Sequence, residues 1–312
     1  MDFSQIAISN FHQQLKGAQP PQVRYDPETG EAQVYTEGLQ PNLLRHMILN
    51  SLRKIKREFG NRYGQIVLCA DSHSYWRKDV FPNYKANRKK NRDASDIDWD
   101  LVFQTLNELR EEIKINFPYK VMYVPRAEAD DVIAVLANTF RHTEPILIVS
   151  SDKDFIQLLD QNVAIYRPIQ KELLLLSPSD LTANLSAETF YTKKQVDRFL
   201  KEHIIRGDTG DGVPNFLSPD DVFVTEGTRQ KPIMSAKVEQ WIHQAPEEFC
   251  NEETLKNYNR NKQLVDLDAI PQDVQDVIMA EFEKPIVGKA SRIYSYFVRH
   301  RMKSLLEVMG EF

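Results

Sequence analysis

The sequence predicts an α/β protein: a largely parallel central sheet flanked by helices, with a smaller helical C-terminal domain. Three observations carry that expectation. Short apolar runs alternate with helical periodicity over the first two thirds of the chain, the pattern of strands joined by crossover helices. The two clearest apolar runs each end in an aspartate. Beyond about residue 185 strand signals fade and polar helical segments take over.

Taken in order, "QIVLCAD" (65–71) is the first clear strand, followed by a helix at 100–115, "DLVFQTLNELREEIKI", with Leu101, Leu106, Leu109 and Ile113 near helical spacing. "YKVMYV" (119–124) is a weaker strand. The segment "ADDVIAVLANTF" (129–140) sets Val132, Leu136 and Phe140 four residues apart with Ile133 beside them, an amphipathic helix between two strands. "EPILIVSSD" (144–152) is the second clear strand and "VAIYRP" (163–168) a fourth. "KKQVDRFLKEHIIRG" and "SRIYSYFVRHRMKSLLEVMG" are helical segments of the C-terminal part. The expected division is an α/β domain over 1–185 and a helical domain over 186–312.

At 312 residues the chain is long enough for a large core. Forty basic against 45 acidic residues give a formal charge of −5, which argues against a generally cationic, histone-like binder. Cys69 and Cys250, the only cysteines, supply neither a disulfide framework nor a cysteine zinc site, which fits a reducing compartment. No apolar run approaches the ~20 residues a bilayer span needs and the N-terminus has no signal pattern. A soluble intracellular protein is expected, with no membrane partner.

In open α/β sheets ligands bind beyond the carboxyl ends of the strands, where Asp71, Asp152 and Asp154 would lie. "RAEADD" adds Glu128, Asp130 and Asp131 at a helix start; Asp2 and "GDTGD" (Asp208, Asp211) are further candidates. Each has a plain alternative: Asp71 as a turn or cap residue, Asp130 and Asp131 as partners of the helix dipole, "DKD" as a surface turn offset by Lys153. Their concurrence at one topological edge favours a shared cation, since unpaired carboxylates there would repel. With no cysteine and no evident histidine partner, the set suits Mg²⁺ or Mn²⁺.

The segment "RKDVFPNYKANRKKNR" (77–92) holds Arg77, Lys78, Lys85, Arg88, Lys89, Lys90 and Arg92 against one acid, Asp79, a local charge of +6. Tyr75 and Trp76 precede it; Phe81 and Tyr84 lie within it. Cations interleaved with aromatics match a phosphate backbone and exposed bases, the alternative being a solvated charged helix or loop. The run begins six residues after Asp71, so a phosphate held there could reach the metal candidates.

Together these motifs resemble the flap endonuclease and 5′-nuclease superfamily, most closely its phage ribonuclease H branch. "DFSQIA", "IVLCAD", "YWRKD", "YKANR", "EADD", "SSDKDF", "GDTGD", "RIYSYFV" and the closing "EF" occur in the family's order across nearly the whole chain. The resemblance implies a PIN-like nuclease domain, a helix-turn-helix-like DNA-binding element in the C-terminal domain and an arch-like basic segment over 74–98. It implies that Asp2, Asp71, Glu128, Asp130, Asp131, Asp152 and Asp154 surround one or two divalent ions, Mg²⁺ with Mn²⁺ as substitute, and that Asp208 or Asp211 completes the second position. Such ions activate water for in-line attack on a phosphodiester and neutralise the leaving oxygen. Lys85 and Arg88 would polarise the phosphate, Tyr84 would stack on a base or pack, and Arg206 with the later cationic helices would grip duplex. The implied activity is 5′ to 3′ removal of RNA primers and 5′ flaps during replication by a monomer in the cytoplasm, the host's if phage-encoded. The implied partners are RNA·DNA hybrid, flapped duplex DNA and, by analogy, a single-stranded-DNA-binding protein or sliding clamp.

Two features depart from the family pattern. Members carry an apolar strand ahead of the first aspartate, whereas Asp2 directly follows Met1, so either the start lies upstream or the site closes without that strand. "GDTGDGVPNFLSPDD" keeps the aspartates and lacks the later Gly-x-Gly hairpin. Two further readings therefore stand beside the nuclease: a structure-specific DNA-binding protein without catalysis, and a phosphatase-like hydrolase, which leaves the basic segment unexplained.

Overall fold

A computed structural model describes residues 1–17, 22–25, 32–35, 39–93, 95, 97–177, 184–185 and 187–312. It divides into two compact units, one of residues 1–2, 69–95 and 122–284, the other of residues 3–68, 96–121 and 285–312. The passage from strands to helices near residue 185 thus falls inside the first unit, which runs unbroken from 122 to 284.

The sheets are mixed, not largely parallel as the sequence predicts. Val67–Ala70 and Lys120–Tyr123 form a two-stranded sheet. In a five-stranded sheet Ile146–Val149 runs parallel to Val163–Arg167, Ile146 opposite Val163. Val163–Arg167 then turns directly into Glu172–Leu176, with Ile165 opposite Leu174. A turn this short allows only antiparallel pairing, because a parallel return needs a crossover of a dozen residues or more. Glu188–Tyr191 pairs in parallel with Glu172–Leu176 and in antiparallel with Asn184–Leu185.

Residues 1–2 join this architecture without a strand of their own. The N–H of Cys69 donates to Met1 O at 2.9 Å, and the N–H of Asp2 donates to Val149 O at 3.1 Å. Asp2 and Cys69 form a parallel bridge. One bridged residue thus lies between the strand before Asp71 and the strand before Asp152.

In the same unit the helix Ala129–Phe140 buries Val132, Ile133 and Val135 on its apolar face. Lys193–Arg206 starts at a capping box in which Thr192 Oγ1 accepts from the N–H of Gln195 at 3.2 Å and Gln195 Oε1 accepts from the N–H of Thr192. Ile204 and Ile205 of this helix pack with Phe81, Tyr84, Phe216, Tyr258 and Leu264 in one apolar cluster. The aromatics of the basic segment therefore anchor it to the core, each buried ring contributing about 2 kcal/mol or more.

The other unit is helical. Phe3–Gly17 packs on Pro41–Tyr63. Trp99–Asn116 is capped by Asp98, whose carboxylate accepts from the N–H of Leu101 at 3.0 Å. Its buried stripe is Val102, Leu106, Leu109 and Ile113; Leu101, expected in that stripe, faces out. Arg45 joins Glu108 and Glu112 at 3.1 and 3.0 Å, and Tyr296 donates to Glu112 at 2.7 Å. Gln22–Tyr25 and Ala32–Tyr35 pair antiparallel, with Gln22 opposite Tyr35. The expected C-terminal helix is broken into Ile293–Arg299 and Lys303–Leu306, with Arg301 in the left-handed region at φ 56° between them. Among the described residues no helix is long and apolar enough to cross a membrane.

Candidate metal and phosphate site

The strand ends bring Asp2, Asp71, Asp152 and Asp154 to one edge, with Asp130 on the first turn of the following helix. Asp71 Oδ1 accepts from the N–H of Ala129 at 2.9 Å, so the positive end of that helix holds one oxygen of the strand-end acid. Asp2 Oδ2 accepts from Ser150 Oγ at 3.0 Å, and the same hydroxyl accepts from the N–H of Asp152 at 3.1 Å. Asp152 Oδ1 accepts from the N–H of Asp154 at 3.0 Å, forming the turn that starts the short helix Lys153–Leu158. Burial pushes the Asp130 carboxyl well above the usual range, and the charges of Asp152 and Asp2 push it further. Burial and then Asp154 raise Asp152, which also feels Asp211 and Asp208. Asp130 and Asp152 thus resist ionising, first because they are buried and then because of the acids beside them, a strain that a bound cation would relieve.

Glu128 and Asp131 face inward. Glu128, 1% exposed, accepts from Arg77 Nη1 at 2.8 Å and is paired with Lys85. Asp131, wholly buried, accepts from Trp76 Nε1 at 3.1 Å, Arg77 Nη1 at 3.0 Å and the N–H of Glu128 at 2.8 Å. Arg77 is 2% exposed and its Nε donates to Leu264 O at 2.8 Å. Its guanidinium neutralises two buried acids and does not reach solvent, contrary to the expected nucleic-acid contact. Tyr84 likewise packs and has no open face for a base; its hydroxyl lies 2.9 Å from Glu128 Oε2 and 2.7 Å from Asp211 Oδ2. Burial, then those two carboxylates, raise its phenol far above the ordinary value.

Lys85 and Arg88 meet Asp211 from the basic segment. Lys85 Nζ lies 3.6 Å from Asp211 Oδ2, Arg88 pairs with Oδ1, and the Lys85 N–H donates to Asp211 O at 2.7 Å. Burial works against the charge on Lys85, yet Glu128 and Asp211 outweigh it and hold the ammonium above the usual lysine value. For Asp211 burial likewise acts upward, but Lys85 and Arg88 prevail and its carboxyl stays below the usual range. Lys85 adopts φ 57°, in the left-handed region that a residue with a side chain seldom takes.

Of the remaining cations, Lys78 is exposed, with its ammonium 5.5 Å from the Tyr75 ring, and Arg92 is partly exposed. The side chains of Lys89 and Lys90 lie outside the described residues. Arg206 pairs with Glu202 at 2.8 Å along its own helix.

A histidine joins the acids, contrary to the expectation of none. His203, one helical turn before the end of Lys193–Arg206, has Nε2 3.4 Å from Asp154 Oδ1 and 3.5 Å from Asp208 Oδ2. Its only sequence signal is the spacing "HIIRGD", which sets it one helical turn plus a loop residue ahead of Asp208.

Residues 28–193 match the family model for the 5′-3′ exonuclease N-terminal, resolvase-like domain, and residues 194–312 match the model for the C-terminal domain of T4 RNase H. The chain is 34% identical over 286 residues to ribonuclease H of Enterobacteria phage T4, covering 88% of each. It is 31% identical over 140 residues to the 5′-3′ exonuclease of Mycoplasmopsis pulmonis, 44% of this chain and 41% of that one. In fold it is similar to the bacteriophage T5 5′-exonuclease with bound zinc, with a TM-score of 0.59 at 18% identity over 92% of this chain and 97% of that one. A T5 flap endonuclease variant in a pseudo-enzyme-product complex with DNA and metal ions gives 0.53 at 18% identity, covering 77% and 90%.

Proposed function

The chain belongs to the 5′-3′ exonuclease family, a family of nucleases, and we propose that it hydrolyses phosphodiesters 5′ to 3′ on RNA·DNA hybrids and 5′-flapped duplexes. In this reading Asp2, Asp71, Asp130 and Asp152 hold one divalent ion, and Asp152, Asp154 and Asp208 a second, Mg²⁺ or Mn²⁺ in each. The observation that carries it is that the Asp130 and Asp152 carboxyls are both raised, first by burial and then by neighbouring acids, Asp152 and Asp2 for the one and Asp154 for the other, backed by the buried Asp154 Oδ1, which has no hydrogen-bond partner. A set of carboxylate oxygens gathered at one edge fits hard cations. Bound there, such ions supply Lewis-acid neutralisation of the scissile phosphate and an activated water.

The chain's own groups do the rest. Lys85 and Arg88, parked on Glu128 and Asp211, turn to a phosphate oxygen and donate charge-assisted hydrogen bonds to it. Arg77 and Asp131 act by position: they fix Glu128 and the start of the helix that presents Asp130. Lys78 and Arg92 line the approach of the backbone, and the helical part over 186–312, with Arg206 and the loop after it as a helix-turn-helix-like element, takes the duplex. Asp2, bridged to Cys69 and bonded to Val149 O, supports retained chemistry over a binding module.

The test is cleavage of a labelled 5′ flap and of an RNA·DNA hybrid with Mg²⁺ by wild type and Asp152→Asn. The variant is expected to lose about a hundredfold or more in rate while still binding both substrates. Equal cleavage by the two proteins overturns the metal assignment. Binding without cleavage by wild type favours the non-catalytic reading.

A further inference from the structure

We infer that His203 is a nitrogen ligand of the second metal position, beside Asp154 and Asp208, and biases that position toward Mn²⁺ and other transition ions over Mg²⁺. The inference rests on the metal-dependent reading above and concerns a residue to which that reading gives no part. His203 is 6% exposed, and its Nε2 has no hydrogen-bond partner. Asp154 Oδ1, 3.4 Å away, is equally buried and equally without one. The two atoms are close enough to attract and misdirected for a hydrogen bond. Leaving buried polar atoms unsatisfied costs about 1–3 kcal/mol each, so the pair points to something that fits between them.

The spacing is that of ligands around one ion. Donor atoms of His203, Asp154 and Asp208 lie within 4.8 Å of one another. Ligands about 2.1 Å from a metal stand roughly 3–4 Å apart, so a small contraction suffices. The surroundings hold the donors in place. Asp208 Oδ1 accepts from the N–H of Gly210 at 2.7 Å and of Asp211 at 3.2 Å, leaving Oδ2 toward the imidazole. The Phe199 ring stacks on His203 at 5.8 Å and 12°, fixing its plane. Lys153 Nζ lies 3.3 Å from Asp208 Oδ2, but its side chain is 55% exposed and can swing out as an ion enters.

The donor set decides which ion. Mg²⁺ prefers an all-oxygen shell and keeps its waters. An imidazole nitrogen suits the later transition ions such as Zn²⁺ best, and Mn²⁺, at the foot of that affinity order, still accepts it more readily than Mg²⁺ does, so one histidine among carboxylates tilts the preference without abolishing Mg²⁺ binding.

The direct test is pulsed electron paramagnetic resonance of the full chain loaded with Mn²⁺, which is expected to show nitrogen modulation of the bound ion's echo. In calorimetric titrations His203→Gln should lose about tenfold or more in Mn²⁺ affinity while Mg²⁺ affinity changes less than about threefold. Bound Mn²⁺ without nitrogen modulation overturns the role of His203 and leaves the metal-dependent reading standing. Absence of bound Mn²⁺ overturns both. The spectroscopic measurement on wild type stands whether or not the variant folds.

Discussion

The guanidinium of Arg77 is enclosed by Trp76, Glu128, Asp131 and the carbonyl of Leu264, and its charge is compensated by the two carboxylates it pairs with. Burial opposes that charge; Asp131, Tyr84 and Glu128 more than offset it. Removing one side of such a cluster leaves the other buried and uncompensated, at about 3–5 kcal/mol. Arg77→Met is therefore expected to lower stability by that order in urea unfolding. The salt dependence of nucleic-acid binding by the folded fraction should keep its slope. Lys78→Ala should do the reverse, leaving stability within about 0.5 kcal/mol and reducing the salt slope by roughly one. A salt slope that falls for Arg77→Met would return it to the phosphate-binding set. In the sequence the two cations are adjacent and indistinguishable. What separates them is that Glu128 and Asp131 lie 51 and 54 residues further on, a pairing that only the fold creates.

The loop from Gly207 to Gly212 places Asp208 and Asp211, and its backbone explains why glycine opens it. Gly207 has φ 67°, and a Cβ there would lie 2.4 Å from Val213 O and 2.5 Å from Pro214 O, atoms of backbone that cannot move aside. Gly64 has a similar φ of 71° but nothing within 4 Å. Gly64→Ala is expected to cost about 1 kcal/mol from conformation alone. Gly207→Ala should cost at least about 2 kcal/mol more in thermal unfolding and weaken Mn²⁺ binding as Asp208 shifts. Equal losses for the two variants would show the loop to be compliant. The helix at 129–140 was legible because its apolar spacing coincides with its buried face. The strand Glu172–Leu176 was not, since "ELLLL" carries no alternation and pairs through a turn rather than a crossover. His203 was illegible for a related reason: a histidine near a helix end reads as a surface residue until the loop folds Asp208 back on it.

A formal charge of −5 conceals two opposed fields, the cations of 77–92 and the acids gathered near Asp130, and the second makes the metal-free chain sensitive to pH. Burial, Asp152 and Asp2 raise the Asp130 carboxyl in the folded state, and burial and Asp154 raise Asp152. A carboxyl with a raised folded pKa binds its proton more tightly in the native chain than in the unfolded one. Stability from these two groups is thus present at low pH and lost as pH rises from about 4 through their folded values. Asp211, held low once Lys85 and Arg88 overcome its burial, has the opposite sign: its contribution is present above about 4 and lost only as pH falls below that. The window above about pH 4 therefore carries the contribution of Asp130 and Asp152, which comparison with a variant of one of them isolates from other groups. With chelator present, the thermal midpoint of wild type is expected to fall across that window relative to Asp130→Asn, which carries no such charge. With saturating Mg²⁺ the wild-type slope should flatten or reverse, because an ion that replaces the proton binds more tightly as the proton leaves and stabilises the native state by mass action. Parallel curves for wild type and Asp130→Asn in chelator, unaltered by Mg²⁺, would mean that these acids do not share a cation.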